Sequence, residues 1–403
     1  MHIVYVCREY PPALRMGGIA SYLKEISVAM VKRGHEVTVI AANDDTREEK
    51  EETIDGVRVI RLKGGDFVLP SIERSFVLLK KFRTIYRFHS YRRKIRQAIE
   101  RLKNIDVIEI AEYGAEGYYL KDINIPVTMR LHTPTLLDRE TGSRKKFALP
   151  WAHEYWVGKQ EERLMPYFVN VTSCSKSLLK WCEDNVADFP QKGNVIYNPL
   201  DISSWQHNEN LNYIENTVFY AGTVAEPKGI GDLVEAVALF NERGHNVQLK
   251  IAGKIGSYGE TLKDMCRQKN YDWCEFLGHI SRDELKYYYT KSKVSCFPSW
   301  WENLPMVCLE AMAIGNIVVA SENGGMAEII TDGKDGYLIT PRNVNNIVNT
   351  LEKALSLPAE DVSLIRKNAY QRIKDKFSTQ IISKQLETYY ETICQQFKEN
   401  TVG

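Results

Sequence analysis

The feature that most constrains the fold is an alternation of short apolar strands and helices that runs through the 403-residue chain twice. The first series predicts a strand at 3–7, a glycine turn at Gly17-Gly18 and a helix reaching about Lys32. Further strands are predicted at 36–41, 57–62, 107–110, 127–131 and 169–172, and then at 217–221, 247–252, 273–277, 294–297 and 317–320. Such β-α alternation predicts an α/β protein with parallel sheets covered by helices.

The restart of the pattern divides the chain into two domains. The boundary is predicted within 199–216, where an Asn-Pro-Leu-Asp turn precedes a polar stretch. We therefore predict a first Rossmann-like domain at 1–200 and a second at 201–378. The last segment, 379–403, is amphipathic and is predicted as a long helix.

Composition and charge limit the classes of partner. A net charge of +1 argues against a basic nucleic-acid-binding coat, so no nucleic acid is expected as a partner. None of the eight cysteines forms a C-x-x-C pair, and several lie in apolar runs, which indicates buried reduced thiols. The N-terminus lacks the pattern of a signal peptide, and no run approaches the ~18 apolar residues of a spanning helix. We expect a cytoplasmic protein.

The segment 76–103 is strongly basic, unlike the chain as a whole. It contains ten lysines and arginines against Glu100 alone, interleaved with aromatic and aliphatic residues. A basic helix with aromatics is suited to an anionic membrane surface, which would make the protein peripheral on the inner face of the cell membrane. A solvated helix with a basic rim explains the same pattern, and both interpretations stay open.

The segment richest in chemistry is 296–315, CFPSWWENLPMVCLEAMAIG. A strand ends at Phe297, a loop carries Glu302, and a helix is predicted with Pro305 at its first position. Glu310 then lies between one and two turns into the helix. Open α/β sheets bind ligands at the carboxyl ends of their strands, and helix N-termini favour anionic phosphates. Each glutamate alone could be a loop or helix-surface residue, whereas the whole string favours a site for sugar and ribose hydroxyls.

This string resembles the E-x7-E motif of the large retaining glycosyltransferase family 4, which has the GT-B fold. The glycine pair Gly17-Gly18 resembles the family's glycine loop, and Ala221-Gly222-Thr223-Val224-Ala225-Glu226-Pro227-Lys228-Gly229 resembles its G-R-L-x-x-x-K-G block. Further similar blocks occur in the family's order at 130–133, 173–177, 195–201, 251–253, 276–278 and 323–328. The resemblance thus covers nearly the whole chain and implies two facing Rossmann-like domains with a cleft between them. It also implies that the first domain binds the acceptor, that the second binds the nucleotide-sugar, and that the last helix crosses back to the first domain.

The resemblance also implies roles for individual residues. Glu310 is expected to bind the ribose of a nucleotide-sugar donor, Glu302 the transferred sugar and Lys228 the diphosphate. Gly17 and Gly18 are expected to let backbone N–H groups approach the phosphate, although a tight turn alone would also require them. His132 is expected to face the sugar at the cleft, with a structural histidine as the alternative. The predicted catalytic residues are His132, Glu302 and Lys228. The predicted donor site also includes Gly17, Gly18, Thr223, Asn303, Leu304, Pro305, Met306, Val307 and Glu310.

Thr223 departs from the family's pattern, and Pro305 limits the number of N–H donors at the helix start. Thr223 stands where the family usually has an arginine, and a hydroxyl cannot replace a planar guanidinium on a diphosphate. Arg8, Arg15 or Arg130 could compensate. Pro305 has no N–H, which removes one phosphate donor at the helix start, although the amides of Leu304, Met306 and Val307 remain.

The implied reaction is transfer of a hexose-type sugar from a UDP- or GDP-sugar to a glycan or lipid-linked acceptor, with retention, in surface polysaccharide or glycolipid biosynthesis. The sequence contains no D-x-D motif and no histidines at ligand spacing, so we expect neither a metal nor another cofactor. Two other interpretations stay open: a nucleotide-sugar epimerase of the same fold, and a catalytically weakened binding protein, which Thr223 alone favours.

Overall fold

The computed structural model describes residues 1–13, 17–43, 48–64, 77–137, 153–190, 192–205 and 213–402. These residues form two compact units. Within the described ranges, unit 1 contains 1–137, 153–199 and 379–402, and unit 2 contains 200–378.

The strands follow the predicted alternation. They are β1 His2–Val6, β2 Glu36–Asn43, β3 Lys50–Ile54, β4 Val57–Lys63, β5 Val107–Ala111, β6 Val127–Leu131, β7 Asn170–Ser173, β8 Gly193–Val195, β9 Ile214–Ala221, β10 Gln248–Ala252, β11 Cys274–Gly278, β12 Ser292–Phe297, β13 Ile317–Ser321 and β14 Tyr337–Ile339. The central strands β1, β5, β12 and β13 are buried along their whole length, as expected for strands covered on both faces.

The helices lie between these strands. They are α1 Gly18–Lys32, α2 Val77–Arg101, α3 His153–Leu164, α4 Lys176–Asn185, α5 Ile230–Glu242, α6 Ser257–Gln268, α7 Arg282–Lys291, α8 Met306–Ala313, α9 Met326–Ile329, α10 Val344–Leu355, α11 Ala359–Lys376 and α12 Thr379–Val402. No helix in the described ranges combines the length and the apolar character needed to cross a bilayer.

Unit 1 is built on an eight-stranded sheet in the order β3-β4-β2-β1-β5-β6-β7-β8. All neighbours are parallel except β3 and β4. The C-terminal helix α12 completes the core of this unit, because Ile382, Leu386, Tyr390 and Ile393 join the cluster formed by α1 and the central strands. The predicted return of the last helix to the first domain is therefore confirmed.

Unit 2 is built on a six-stranded parallel sheet in the order β11-β10-β9-β12-β13-β14. Strand order runs outward in both directions from the neighbours β9 and β12, so the unit is doubly wound. The carboxyl ends of β9 and β12 lie where the order reverses, which is where open α/β sheets form a ligand-binding crevice.

The structure corrects several details of the sequence analysis. Strands β3, β8 and β14 were not predicted, because β3 is a polar edge strand and the other two have three residues each. Strand β9 begins at Ile214, inside the stretch taken as a linker. Leu200 belongs to unit 2, since its N–H donates to the carbonyl of Phe377 at 2.8 Å. The cysteines, in contrast, agree with the prediction of buried reduced thiols: all eight are free and six are buried.

The basic segment 76–103 contains helix α2, whose inner face is part of the fold. Phe88, Tyr91, Ile95 and Ile99 are buried at helical spacing. Arg92 is fully buried and donates to the carbonyls of Phe88, Gly114 and Ala115. These residues are therefore core residues and do not face a partner.

Candidate functional site

The site in unit 2 begins with a direct contact between Lys228 and Glu302. Lys228 ends a 3-10 helix, Glu226–Lys228, which follows β9, and Glu302 lies in the loop that follows β12. Because these strands are neighbours and parallel, both loops leave the same edge of the sheet. The Lys228 ammonium donates to Glu302 Oε1, and Ser299 Oγ donates to the same oxygen at 3.3 Å.

This ion pair is accessible to a ligand. The side chain of Lys228 is 34% exposed and that of Glu302 is 21% exposed. A ligand that contacts one of the two groups therefore meets the other. An ammonium beside a carboxylate suits a molecule that carries both an anionic diphosphate and sugar hydroxyls.

Two glycines allow the loops of this site to approach one another. Gly229 has φ +68°, and a Cβ placed on it would lie 2.1 Å from the carbonyl oxygen of Pro298. Gly324 has φ +71°, and a Cβ there would lie 2.1 Å from the carbonyl oxygen of Glu302. Both positions combine left-handed backbone with a backbone contact, so they require glycine. Both glycines lie in blocks that resemble motifs of the family, but their contacts depend on the tertiary structure.

The segment between the two glutamates differs in one respect from the prediction. Pro305 has extended backbone and precedes α8, which begins at Met306, so the proline is not the first helical residue. No side chain caps α8 and its first turn contains no acidic residue. Asn303 and Leu304 are buried, whereas Val307 and Glu310 on α8 are partly exposed. Asn303 Oδ1 accepts a hydrogen bond from Trp301 Nε1 at 2.8 Å.

The structure bears on the missing arginine at Thr223. The Thr223 side chain is exposed, and its carbonyl accepts a hydrogen bond from Tyr220 Oη at 3.0 Å. The side chain of Arg8 is 11% exposed and pairs with Glu116 at 2.8 Å, while Arg130 is fully buried. Arg15 lies outside the described residues. Neither Arg8 nor Arg130 therefore presents an exposed guanidinium that could take the arginine's place.

In unit 1, Gly17 and Gly18 form the start of α1. Gly17 precedes the helix with extended backbone, no side chain caps it, and no acidic residue lies in the first turn. A Cβ on Gly18 would meet no atom within 4 Å among the described residues, and neither glycine has positive φ. The fold of the described chain thus does not require glycine at Gly18.

His132 lies directly after β6 and is 6% exposed. Its ring packs edge-on against Tyr22, with ring centroids 5.0 Å apart, and lines a cavity of about 10 Å³ with Tyr22 and Glu109. Burial, together with the nearby Arg130, holds the pKa of His132 well below its ordinary value, so the ring is neutral at pH 7.

The buried glutamates of this edge were not predicted from the sequence. Glu112 and Glu116 follow β5, and Glu161 lies on α3; each is at most 1% exposed. Glu112 and Glu116 could have been recognised from the sequence, since polar residues directly after a buried strand lie at the ligand-binding edge of the sheet. Glu161 had no such signal, because a glutamate in a helix normally faces solvent.

In the part of the chain that the structure describes, no group of three or more histidines, cysteines or carboxylates has the arrangement of a metal site.

Two family models and a relative together match nearly the whole chain. The family "Glycosyl transferases group 1" matches residues 201–372, and "Glycosyltransferase Family 4" matches residues 16–204. An uncharacterized glycosyltransferase of Methanocaldococcus jannaschii is 30% identical over 97% of this chain and 98% of its own. This chain is a family 4 glycosyltransferase.

Two further similarities agree with this assignment. Glycogen synthase of Mycobacterium tuberculosis is 24% identical over 95% of this chain and 92% of its own. The structure of sucrose-phosphate synthase from Thermosynechococcus elongatus is similar to this chain, with a TM-score of 0.80 and 20% sequence identity. The similarity covers 97% of this chain and 98% of that structure. The predicted GT-B fold is thereby confirmed, and so is the prediction of an enzyme.

Proposed function

We propose that this family 4 glycosyltransferase transfers a hexose-type sugar, with retention, from a UDP- or GDP-sugar to a glycan or lipid-linked acceptor. The observation that carries the proposal is the contact between Lys228 and Glu302 at the carboxyl ends of two neighbouring strands, beside the N-terminus of α8. Lys228 would bind the diphosphate, Glu302 the sugar hydroxyls, and Glu310 the ribose hydroxyls.

The proposed chemistry is a front-face displacement through an oxocarbenium-like state. The bond between the anomeric carbon and the β-phosphate oxygen breaks, and the acceptor oxygen bonds to the same face. The leaving phosphate oxygen takes the acceptor's proton. Lys228 and the amides of the helix start would stabilise the charge that develops on the diphosphate. His132, held neutral, would contact the sugar. A trapped glycosyl-enzyme adduct or an inverted product would contradict this mechanism.

We also propose that the reaction needs no metal ion. The sequence lacks a D-x-D motif, and Lys228 offers a fixed positive charge to the diphosphate. Turnover is expected to persist in excess EDTA, whereas loss of turnover that added Mg²⁺ or Mn²⁺ restores would overturn the proposal.

The first experiment measures the melting temperature of the chain, without metal, against a panel of nucleotides and nucleotide-sugars. A ligand that binds the folded protein raises the melting temperature with its occupancy. We expect a shift with one series, UDP or GDP, and its loss in Glu310→Ala. Glu242→Ala is the control, since Glu242 is an exposed glutamate on α5 of the same unit.

A second arm tests whether Thr223 weakens the site. Because an arginine would add a bidentate phosphate contact, Thr223→Arg is expected to increase the shift with the same nucleotide series. If neither the natural chain nor this variant shifts with any nucleotide, the transferase proposal fails and the binding-protein interpretation is favoured. Donor consumption that yields a sugar isomer without any acceptor would instead favour the epimerase.

For the acceptor, we propose a surface polysaccharide or glycolipid at an anionic membrane. A Staphylococcus aureus relative named as a capsular polysaccharide biosynthesis glycosyltransferase is 24% identical over 55% of this chain. The outer face of α2 adds Phe82 and Tyr86, which are 68% and 71% exposed and four residues apart, and the exposed Arg93. Exposed aromatics beside a cation suit the interface of an anionic bilayer.

Co-sedimentation with vesicles tests this membrane proposal. Binding is expected to rise with phosphatidylglycerol content, fall with salt, and fall in the double variant Phe82→Ser, Tyr86→Ser. Tyr287→Ser is the control, because Tyr287 is 54% exposed and lies in unit 2. Binding that ignores lipid charge and salt would contradict the proposal.

A further inference from the structure

Two buried glutamates hold the backbone of the loop that carries His132. Glu112 comes directly after β5, and its Oε1 accepts hydrogen bonds from the backbone N–H of His132 at 2.8 Å and of Thr133 at 2.5 Å. One oxygen thus orders two consecutive amides at the end of β6, the neighbouring strand.

The second glutamate, Glu161, reaches the same loop from helix α3. Its Oε2 accepts from the backbone N–H of Thr135 at 2.8 Å, and its Oε1 accepts from the Thr135 hydroxyl at 2.8 Å. Glu161 Oε1 also accepts from the N–H of Gly114 at 2.6 Å. Both of its oxygens are therefore used, and they connect the turn after β5 with the loop after β6.

Burying two carboxyl groups at one sheet edge is costly for a purely structural connection. Burial raises the pKa of Glu112 to about 8, and the charge of Glu161 raises it as well, so Glu112 is mainly protonated at pH 7. Burial also raises the pKa of Glu161, against hydrogen bonds from Thr135 and Gly114. Groups that cost stability in this way are characteristic of functional sites.

We propose that Glu112 and Glu161 are positioning residues for His132. By binding the amides of residues 132, 133 and 135 they fix the loop, and the imidazole stays packed on Tyr22, desolvated and neutral. The inference rests on the proposed function, because it assigns these glutamates to the sugar-facing histidine of that reaction. The two glutamates differ in how many oxygens they use, and this difference makes the proposal testable.

The first measurement follows the imidazole of His132 by NMR titration in the full-length chain, with the resonance assigned through His132→Asn. In Glu112→Ala and Glu161→Ala the loop loses its acceptors and the ring gains water, so its pKa is expected to rise toward the ordinary histidine value. Amide hydrogen exchange of residues 131–136 is expected to accelerate by about 10-fold or more in both variants.

The conservative variants give the sharper test. Glu112→Gln keeps one carbonyl oxygen for both amides and resembles the protonated acid, so it is expected to behave as the natural chain. Glu161→Gln keeps only one acceptor oxygen, whereas Thr135 and Gly114 bond to both oxygens of Glu161. This variant is therefore expected to resemble Glu161→Ala. Glu116→Gln is the matched control, since Glu116 is equally buried but binds the N–H and Nε of Arg8 rather than the loop.

The proposal is overturned if His132 titration and loop exchange stay unchanged in Glu112→Ala and Glu161→Ala, or if Glu116→Gln alters them equally. If an alanine variant fails to fold, Glu161→Gln and Thr135→Val decide in its place. Thr135→Val removes only the hydroxyl donor and is expected to accelerate exchange less than Glu161→Gln, and unchanged exchange in both would overturn the proposal.

Turnover of UDP-glucose and GDP-mannose is measured in parallel. Glu161→Gln is expected to lower kcat by about 10-fold or more with KM little changed, because a displaced group costs rate rather than binding. A loosened loop with unchanged kcat would overturn the positioning role. If the natural chain turns over neither donor, the proposed function is in question, while the NMR and exchange measurements still decide whether the glutamates hold the loop.

Discussion

At the scale of single residues, the site in unit 2 depends on a lysine and a glutamate that are 74 positions apart in the chain. Each was predicted from its own motif, and the structure brings them into contact. The pair is partly exposed, so solvent weakens its contribution to stability, and its value lies in offering both charges to one ligand.

Replacing Lys228 by methionine is therefore expected to affect turnover far more than folding. Loss of a group that stabilises the leaving diphosphate should lower kcat by about 10²–10³. The free energy of unfolding, measured with urea, should change by less than about 1 kcal/mol, as for other exposed ion pairs.

Lys250→Met is the control for this prediction. Lys250 pairs with Glu275 at 2.6 Å on two other strands of the same sheet, and it is similarly exposed. This variant should leave kcat unchanged. Equal kcat losses in the two variants would mean that Lys228 acts through the general charge of unit 2 and not through the donor.

At the scale of secondary-structure elements, the site depends on how closely strand ends and loops approach. The 3-10 turn after β9 contacts the loop after β12 at Gly229, where even a methyl group would overlap the carbonyl of Pro298. This close approach places the Lys228 ammonium within reach of Glu302, so a shift of the 3-10 turn would separate the pair.

Gly229→Ala is expected to destabilise unit 2 by more than the roughly 1–2 kcal/mol that left-handed backbone costs an alanine. The added cost comes from displacing the loop at Pro298. Chemical denaturation measures the total, and the melting-temperature shift with the bound nucleotide is expected to shrink as well.

Gly244→Ala separates the two contributions. Gly244 also has positive φ, at +90°, but a Cβ there meets no described atom within 4 Å. Its cost should therefore be the backbone strain alone. If Gly229→Ala proves no worse than Gly244→Ala, the close approach of the two loops is not a constraint on the site.

At the scale of the whole molecule, the end of the chain completes the unit in which the chain begins. Helix α12 contributes Tyr390, whose hydroxyl donates to Glu109 Oε2 at 2.7 Å, while Tyr22 donates to Glu109 Oε1 at 2.8 Å. Glu109 lies in the buried strand β5, and burial raises its pKa. Two donors from distant parts of the sequence thus satisfy one buried carboxyl group.

Tyr390→Phe is expected to destabilise unit 1 by about 1–3 kcal/mol, because it leaves a buried carboxyl oxygen without its donor. The measurement is urea unfolding followed by amide exchange of β5 and α12. Tyr389→Phe is the neighbouring control, since the Tyr389 hydroxyl bonds to Thr128 at 3.1 Å in a partly exposed position. A smaller loss in Tyr390→Phe than in Tyr389→Phe would contradict this account.

The sequence by itself determined the β-α alternation of both halves, the parallel sheets and the E-x7-E string, since each depends on local periodicity or on residues close together in the chain. It could not show the short strands β8 and β14, whose three residues are too few for a pattern, or the polar edge strand β3.

Only the tertiary structure decided which polar groups meet. The basic and aromatic composition of 76–103 left a membrane role open for Phe88 and Tyr91, while packing made them core residues. Glu161 lies in a helix, where a glutamate normally faces solvent, but it is buried because three donors that follow two strand ends bond to it. Such contacts join residues that are distant in sequence, and no local pattern encodes them.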